Sequence, residues 1–356
     1  MRLVVDAVCA EFGGNRTYVD HLLRRWHDLR PDDELHVVVP KGSSLPTHGH
    51  VRHELAVARP SILFRPLAQT RELRRLVQEV RPHAVLATAP PTTLRRVGVP
   101  LAVVVLDLRH ELRPEQFSLG RRLIRKVAYG RTFRIADGFL TISARTLGDL
   151  RQRHPSTGLV PGTVTHLGGD HVLDWPTPSR EGPAVAFGHH TNKNPDLVLL
   201  AWSRALQRGD DVPDLTVVGA SAALRDRLEA IIHAENLDDR VVLAPFLDDQ
   251  EFKRLLASAS MIVFPSDFEG FGLPIVEGML LRKPVVISPE PGSIEIAGGH
   301  ATVMRGWEPE QLADAVVAAI SKDDEELRKA ADWAATFSWD TTVRRTAAAL
   351  GQLAAR

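Results

Sequence analysis

Two glutamates, Glu269 and Glu277, stand eight positions apart around the segment Gly270-Phe271-Gly272-Leu273-Pro274. Carboxylates accept paired hydrogen bonds from vicinal hydroxyls, which makes sugars and riboses their natural partners. The two glycines let bare backbone approach a ligand, and Pro274, lacking an N–H, suits the first turn of a helix. The spacing predicts a helix that starts at Leu273 or Pro274 and holds Glu277 in its first turn. Its partly positive end is aimed at an anion such as a diphosphate. No Ser, Thr or Asp caps that end. A strand-loop-helix unit with a glycine turn and two surface glutamates is the plain alternative. A second turn of the same kind, Gly188-His189-His190-Thr191-Asn192-Lys193-Asn194-Pro195, follows the apolar run 184–187. A lysine there is a point charge suited to phosphate. The adjacent His189 and His190 lack any further metal-ligand spacing, and no Asp-x-Asp occurs in the chain, so no metal is expected.

These residues need strands to position them. Ile262-Val263-Phe264, closed by Pro265, reads as a buried parallel strand, and 283–288 starts another. Further apolar runs at 2–8, 35–39, 84–87, 101–106, 138–142, 184–187, 215–219 and 241–244 alternate with helix-like segments, the pattern of parallel sheets covered on both faces. Gly13 and Gly14 fall where the first strand meets the first helix, a ligand crevice in such sheets, although a tight turn reads equally well. Asp107 and His110 follow the run at 101–106. Asp can orient or accept and His titrates near neutrality, so the two are the acceptor-side candidates, with a solvated loop as the alternative. Residues 119–134 form a basic amphipathic helix, able to lie on an anionic membrane but more simply packed by its apolar stripe on the sheet. Ser143 is expected to cap the next helix.

Phe264-Pro265-Ser266, Glu269 through Pro274, Glu277, then Pro284-Val285-Val286 and Ser288, resembles the donor-site signature of retaining glycosyltransferases of family 4. The resemblance implies an α/β GT-B fold, two Rossmann-like parallel-sheet domains facing an interdomain cleft. It implies that Glu277 holds a nucleotide ribose and that Glu269 contacts the donor sugar. The backbone from Gly270 through Phe271 and Gly272 to Leu273 would serve the sugar and diphosphate. Lys193 would neutralise the leaving diphosphate, with His189 or His190 near the place of the family's usual Arg. Gly13 and Gly14 match glycines that let acceptor and donor phosphates approach. The family's His before Asp107 is Leu106 here, leaving His110 as the nearby substitute. Gly278 and Arg282 also depart from the family pattern.

The 356 residues, 44% of them apolar, suffice for two cores. Residues 1–170 with a returning helix at 341–356 are expected to bind the acceptor, 171–183 to form a Pro-rich linker, and 184–340 to bind a nucleotide sugar. Cys9 is the sole cysteine, which excludes an internal disulfide and suggests a reduced, cytoplasmic setting. No apolar run reaches the length of a membrane span, and residues 1–8 read as a strand. Net charge is zero, yet residues 1–175 hold 26 Lys and Arg against 17 Asp and Glu, and residues 176–356 hold 18 against 27. The basic half suits an anionic acceptor or peripheral contact with the inner membrane surface. Aromatic content of 6% without basic-aromatic interleaving disfavours nucleic acid. The reading is an enzyme transferring a sugar from a nucleoside diphosphate sugar to an acceptor hydroxyl with retention, with no cofactor beyond the donor substrate. An epimerase of the same fold and a non-catalytic nucleotide-sugar binder are the alternatives.

Overall fold

Apolar runs with turn residues at their ends become parallel strands in two separate sheets. The computed structural model describes residues 1–11, 13–57 and 61–356. Two units emerge from the chain's internal packing: Met1–Gly168 together with Trp339–Arg356, and Gly169–Ser338.

The first unit opens with β1 (Arg2–Asp6), α1 (Gly13–Leu29), β2 (Glu34–Pro40), β3 (Val51–Leu55), α2 (Ser61–Val80), β4 (Ala84–Ala87) and β5 (Leu101–Val105). It continues through α3 (Arg109–Leu112), α4 (Leu119–Ile135), β6 (Gly138–Thr141), α5 (Ala144–Arg153) and β7 (Gly162–Val164). All neighbours pair in parallel in the order β3-β2-β1-β4-β5-β6-β7. The strand order reverses between β1 and β4, the place where such sheets open a crevice at their carboxyl ends. Asp6 lies at that point, buried, accepting from Thr92 Oγ1 at 2.5 Å, Gln69 Nε2 at 2.8 Å and the Val8 amide at 3.2 Å. Ser143 caps α5 by accepting from the Thr146 amide at 3.1 Å, as its sequence context predicts.

The second unit contains β8 (Ala184–Phe187), α6 (Pro195–Gln207), β9 (Leu215–Val218), α7 (Ala222–Ala234), β10 (Val241–Ala244), α8 (Asp249–Ser258) and β11 (Met261–Phe264). Then come α9 (Leu273–Leu280), β12 (Val285–Ile287), α10 (Pro291–Ala297), β13 (Thr302–Val303), α11 (Pro309–Ile320) and α12 (Asp324–Ala334). Its sheet is also parallel, ordered β10-β9-β8-β11-β12-β13, with the reversal between β8 and β11. Trp202, Leu199 and Val198 of α6 and Leu312 and Val316 of α11 bury fully against this sheet. Each such aliphatic side chain contributes about 1.5–3 kcal/mol by leaving water. The last helix, α13 (Trp339–Ala354), returns to the first unit and packs on α1. Trp339 is buried there, its ring stacked on His21 at 5.0 Å and tilted against Tyr18 at 6.5 Å.

Two expectations change. The segment after Gly169 is not a free connection, because its turn at Asp170–Asp174 packs on α9. Helix α4 does not bury its apolar stripe: Ala128, Thr132, Phe133 and Ile135 face the core, while Leu119, Leu123 and Val127 stand in solvent.

Candidate functional site

The reversal point of the second sheet gathers the chemistry. The turns after β8 and β11 are laced together by short polar side chains, since each turn leaves backbone groups that need partners. Asn192 donates from Nδ2 to Ser266 Oγ at 3.0 Å and to the Phe268 carbonyl at 3.1 Å, while its own carbonyl accepts from the Asp267 amide at 2.9 Å. Asn194, in the left-handed region at φ 50°, donates to the Pro265 carbonyl at 2.8 Å, and Pro195 then starts α6. Ser266 Oγ lies 2.5 Å from Glu269 Oε1.

Lys193 Nζ forms an ion pair with Glu269 Oε1 and sits 4.3 Å from the centre of the Phe264 ring. Both charged side chains are largely withdrawn from water. The pair persists because each charge compensates the other's lost hydration, helped by the ring face below the ammonium. Lys193 and Glu269, 76 residues apart in sequence, are therefore joined in one cluster.

Gly272 precedes α9 at φ 90°, a conformation that favours glycine, and a Cβ there would come within 2.9 Å of Ile275 Cδ1. Leu273 is the first helical residue, no side chain caps it, and the Phe271 ring is buried edge-on against Phe337 at 5.7 Å. Helix α9 starts at Leu273, as expected, and Glu277 is its fifth residue, just past the first turn. Its Oε1 lies 3.1 Å from His171 Nε2, and both groups are mostly buried. Gly169 lets this contact form: a Cβ there would meet Val276 Cγ1 at 2.3 Å, so only glycine brings the chain close enough to set His171 beside Glu277. Gly278 has an equally local reason. A Cβ would sit 2.9 Å from both Ile262 Cγ1 and Val285 Cγ2, so its departure from the family pattern marks close packing of α9 on β11 and β12.

His189 is partly exposed, edge-on to His190 at 5.0 Å and to Phe187 at 6.3 Å. Beside it, Gly219 has φ 76°, and a Cβ there would lie 3.5 Å from both His189 Cβ and the Phe246 ring. Phe246, in the turn after β10, is 71% exposed.

Gly13, Gly14, Asp107 and His110 all belong to the first unit. Gly13 opens α1 at φ 61°, with Gly14 next, and a Cβ on either meets no atom within 4 Å. Phe12 of the same turn lies outside the described residues. Asp107 Oδ1 accepts from the Arg109 amide at 2.9 Å at the start of α3. His110 is buried, its ring edge-on to Tyr129 at 4.4 Å and its Nε2 3.6 Å from Glu111 Oε1. Burial pushes the His110 imidazole below its ordinary value, and the positive Arg125 nearby adds to this. Asp107 is exposed, so of the two only it meets solvent.

Four further residues acquire roles that sequence reasoning passed over. Ser266 stood in the quoted motif without a task, and Asn192 adjoined Lys193. Asp6 ends a strand, where charge is seldom idle; burial raises its carboxyl above the usual range. His171, 106 positions from Glu277, carried no sequence signal at all.

Residues 187–336 match the model of the family described as Glycosyl transferases group 1. Alpha-D-kanosaminyltransferase of Streptomyces kanamyceticus is 26% identical over 285 residues, covering 73% of this chain and 72% of that protein. The GDP-mannose-dependent alpha-(1-6)-phosphatidylinositol dimannoside mannosyltransferase of Mycobacterium tuberculosis is 26% identical over 302 residues, 79% of this chain and 77% of that one. Anabaena HepE, solved in complex with UDP-glucose, matches over 99% of this chain and 100% of its own at TM-score 0.73 and 19% identity. The two parallel-sheet units are thus those of a GT-B fold, and it is within the second of them that the match to the group 1 model falls.

Proposed function

We propose that this protein is a retaining glycosyltransferase of family 4 type, moving a hexose-like sugar from a nucleoside diphosphate sugar to an acceptor hydroxyl. The observation that carries the reading is the cluster at the reversal point of the second sheet. A buried Lys193–Glu269 pair precedes the amino end of α9, and that helix carries Glu277, eight residues after Glu269. The group 1 match over residues 187–336 supports it, as do the transferase names of both relatives and the nucleotide sugar in HepE.

In this reading Glu277 accepts from the ribose hydroxyls, its orientation fixed by His171. Glu269 accepts from hydroxyls of the donor sugar. An ammonium shared with a carboxylate is nearly neutral at rest. As the sugar–phosphate bond breaks, the diphosphate gains charge and competes with Glu269 for Lys193, so the cation contributes more in the transition state than in the ground state. The N–H groups at the start of α9 add partial positive charge. The leaving diphosphate takes the acceptor proton on the same face, which preserves the anomeric configuration. Countercharge is assigned to Lys193 rather than to a divalent ion. Gly13 and Gly14 are assigned to backbone approach by the ligand. Asp107, the solvent-facing member of its pair, is assigned to the acceptor.

The test is a panel of UDP-, GDP- and dTDP-sugars, assayed for hydrolysis without acceptor and for transfer to simple glycosides, with the product anomer read by NMR. Slow donor hydrolysis and a retained anomer are expected. Inversion, or turnover to an epimer without release of nucleoside diphosphate, would refute the reading.

A further inference from the structure

Helix α4 presents to solvent what an amphipathic helix normally hides. Leu119, Leu123 and Val127 recur every four residues and are 77%, 64% and 66% exposed. At about 100° per residue they fall within an arc of roughly 80°, opposite the buried Ala128, Thr132 and Ile135. Arg122 and Lys126 border one side of this arc, and Arg134 continues it toward the helix end. The helix contains six basic residues, Arg121, Arg122, Arg125, Lys126, Arg131 and Arg134, and no Asp or Glu. It lies in the half of the chain with the positive excess.

Charge selects the occupant. A second copy meeting this face across a twofold axis would set the same basic rows against each other. The apolar strip is three side chains long, too narrow for a protein core but suited to insertion a few ångströms below a headgroup layer, with cations at the level of the phosphates. We propose that α4 docks this protein on an anionic lipid surface, with Leu119, Leu123 and Val127 entering the acyl boundary and Arg122, Lys126 and Arg134 facing lipid phosphates. The inference stands apart from the transfer reading, since vesicle binding needs neither donor nor acceptor.

The test uses the full chain and sedimentation with phosphatidylcholine vesicles, with and without a third of phosphatidylglycerol. Binding is expected to the anionic vesicles only. It should vanish when salt rises from about 0.1 M to about 1 M, as the screening length falls from ~10 Å to ~3 Å. Lys126→Ala should weaken it about fivefold, and Lys126→Ala with Arg134→Ala about twentyfold. Leu119→Ser with Leu123→Ser should abolish it with an unchanged melting temperature, because both side chains are already in water. In Leu123→Trp, indole emission should shift to the blue on anionic vesicles. Equal binding to both vesicles, or binding to neither, would overturn the proposal. So would a dimer in solution that the double serine variant dissolves, which would make the stripe a contact between copies.

Discussion

At the scale of single residues, Lys193 and Glu269 act as one unit, so substitutions there should not add. Removing one partner leaves the other charge buried, which costs about 3–5 kcal/mol, whereas an uncharged pair of similar shape costs much less. Lys193→Met and Glu269→Gln should each lower the urea midpoint sharply, and the double variant should recover much of the loss; additive losses would show that the pair carries no coupling. Activity should follow a different rule, with the double variant as slow as Lys193→Met, because in the proposed reading the leaving diphosphate still lacks its cation. In the proposed reading Glu277 serves another part of the donor. Loss of a charged hydrogen bond is worth about 1.5–3 kcal/mol, so Glu277→Ala should weaken nucleoside diphosphate binding roughly ten- to hundredfold in calorimetry. His171→Ala should weaken it in the same direction but less, by freeing the carboxylate to turn. An unchanged affinity in Glu277→Ala would remove the ribose assignment.

Among elements, close packing and burial decide what a substitution costs. Gly278→Ala adds one methyl group against branched side chains of β11 and β12, and overpacking of this kind costs about 1–3 kcal/mol in denaturation. Alanine at Gly14, where nothing stands within 4 Å, should be nearly neutral. Burial of His110 of α3 against Tyr129 sets a pH dependence. Its folded-state pKa is lowered, so just below about 6.5 the unfolded chain binds the proton more readily than the folded one. Stability from this group is complete above that pH and falls as pH drops toward the folded value. Comparing urea midpoints at pH 7.5 and pH 5.5 should show a smaller acid loss in His110→Phe than in the parent chain. Strands buried on both faces, such as β5 (LAVVV) and β11 (MIVF), were legible because burial leaves a continuous apolar run. The edge strand β3 (VRHEL) escaped notice because only Leu55 is buried, and β13 has two residues. The Lys193 and Glu269 turns were legible as glycine and proline punctuation. Neither the ion pair nor the His171 contact was, since both depend on which strands become neighbours. Helix α4 misled for a related reason: its period reveals a stripe but not whether anything covers it.

Across the whole molecule, the second unit is an insertion within the first, whose final piece is α13. That helix seats Trp339 against Tyr18 and His21, sets Asp340 in ion pairing with Arg25, and buries Val343, Leu350 and Leu353. Trp339→Ala should cost the first unit about 3–5 kcal/mol. Followed by hydrogen exchange, loss of protection should be concentrated in α1 and β1 while α6 and β8 keep theirs; equal loss in both units would contradict the division. The insertion also dictates a schedule. On the ribosome, residues 1–168 emerge first with every strand of their sheet but without the last helix, while residues 169–338 hold every element of their unit as soon as they clear the exit tunnel. The second unit is thus expected to mature ahead of the segment that precedes it. A nascent chain stalled before Trp339 would then expose the apolar face of α1 where chaperones could reach it.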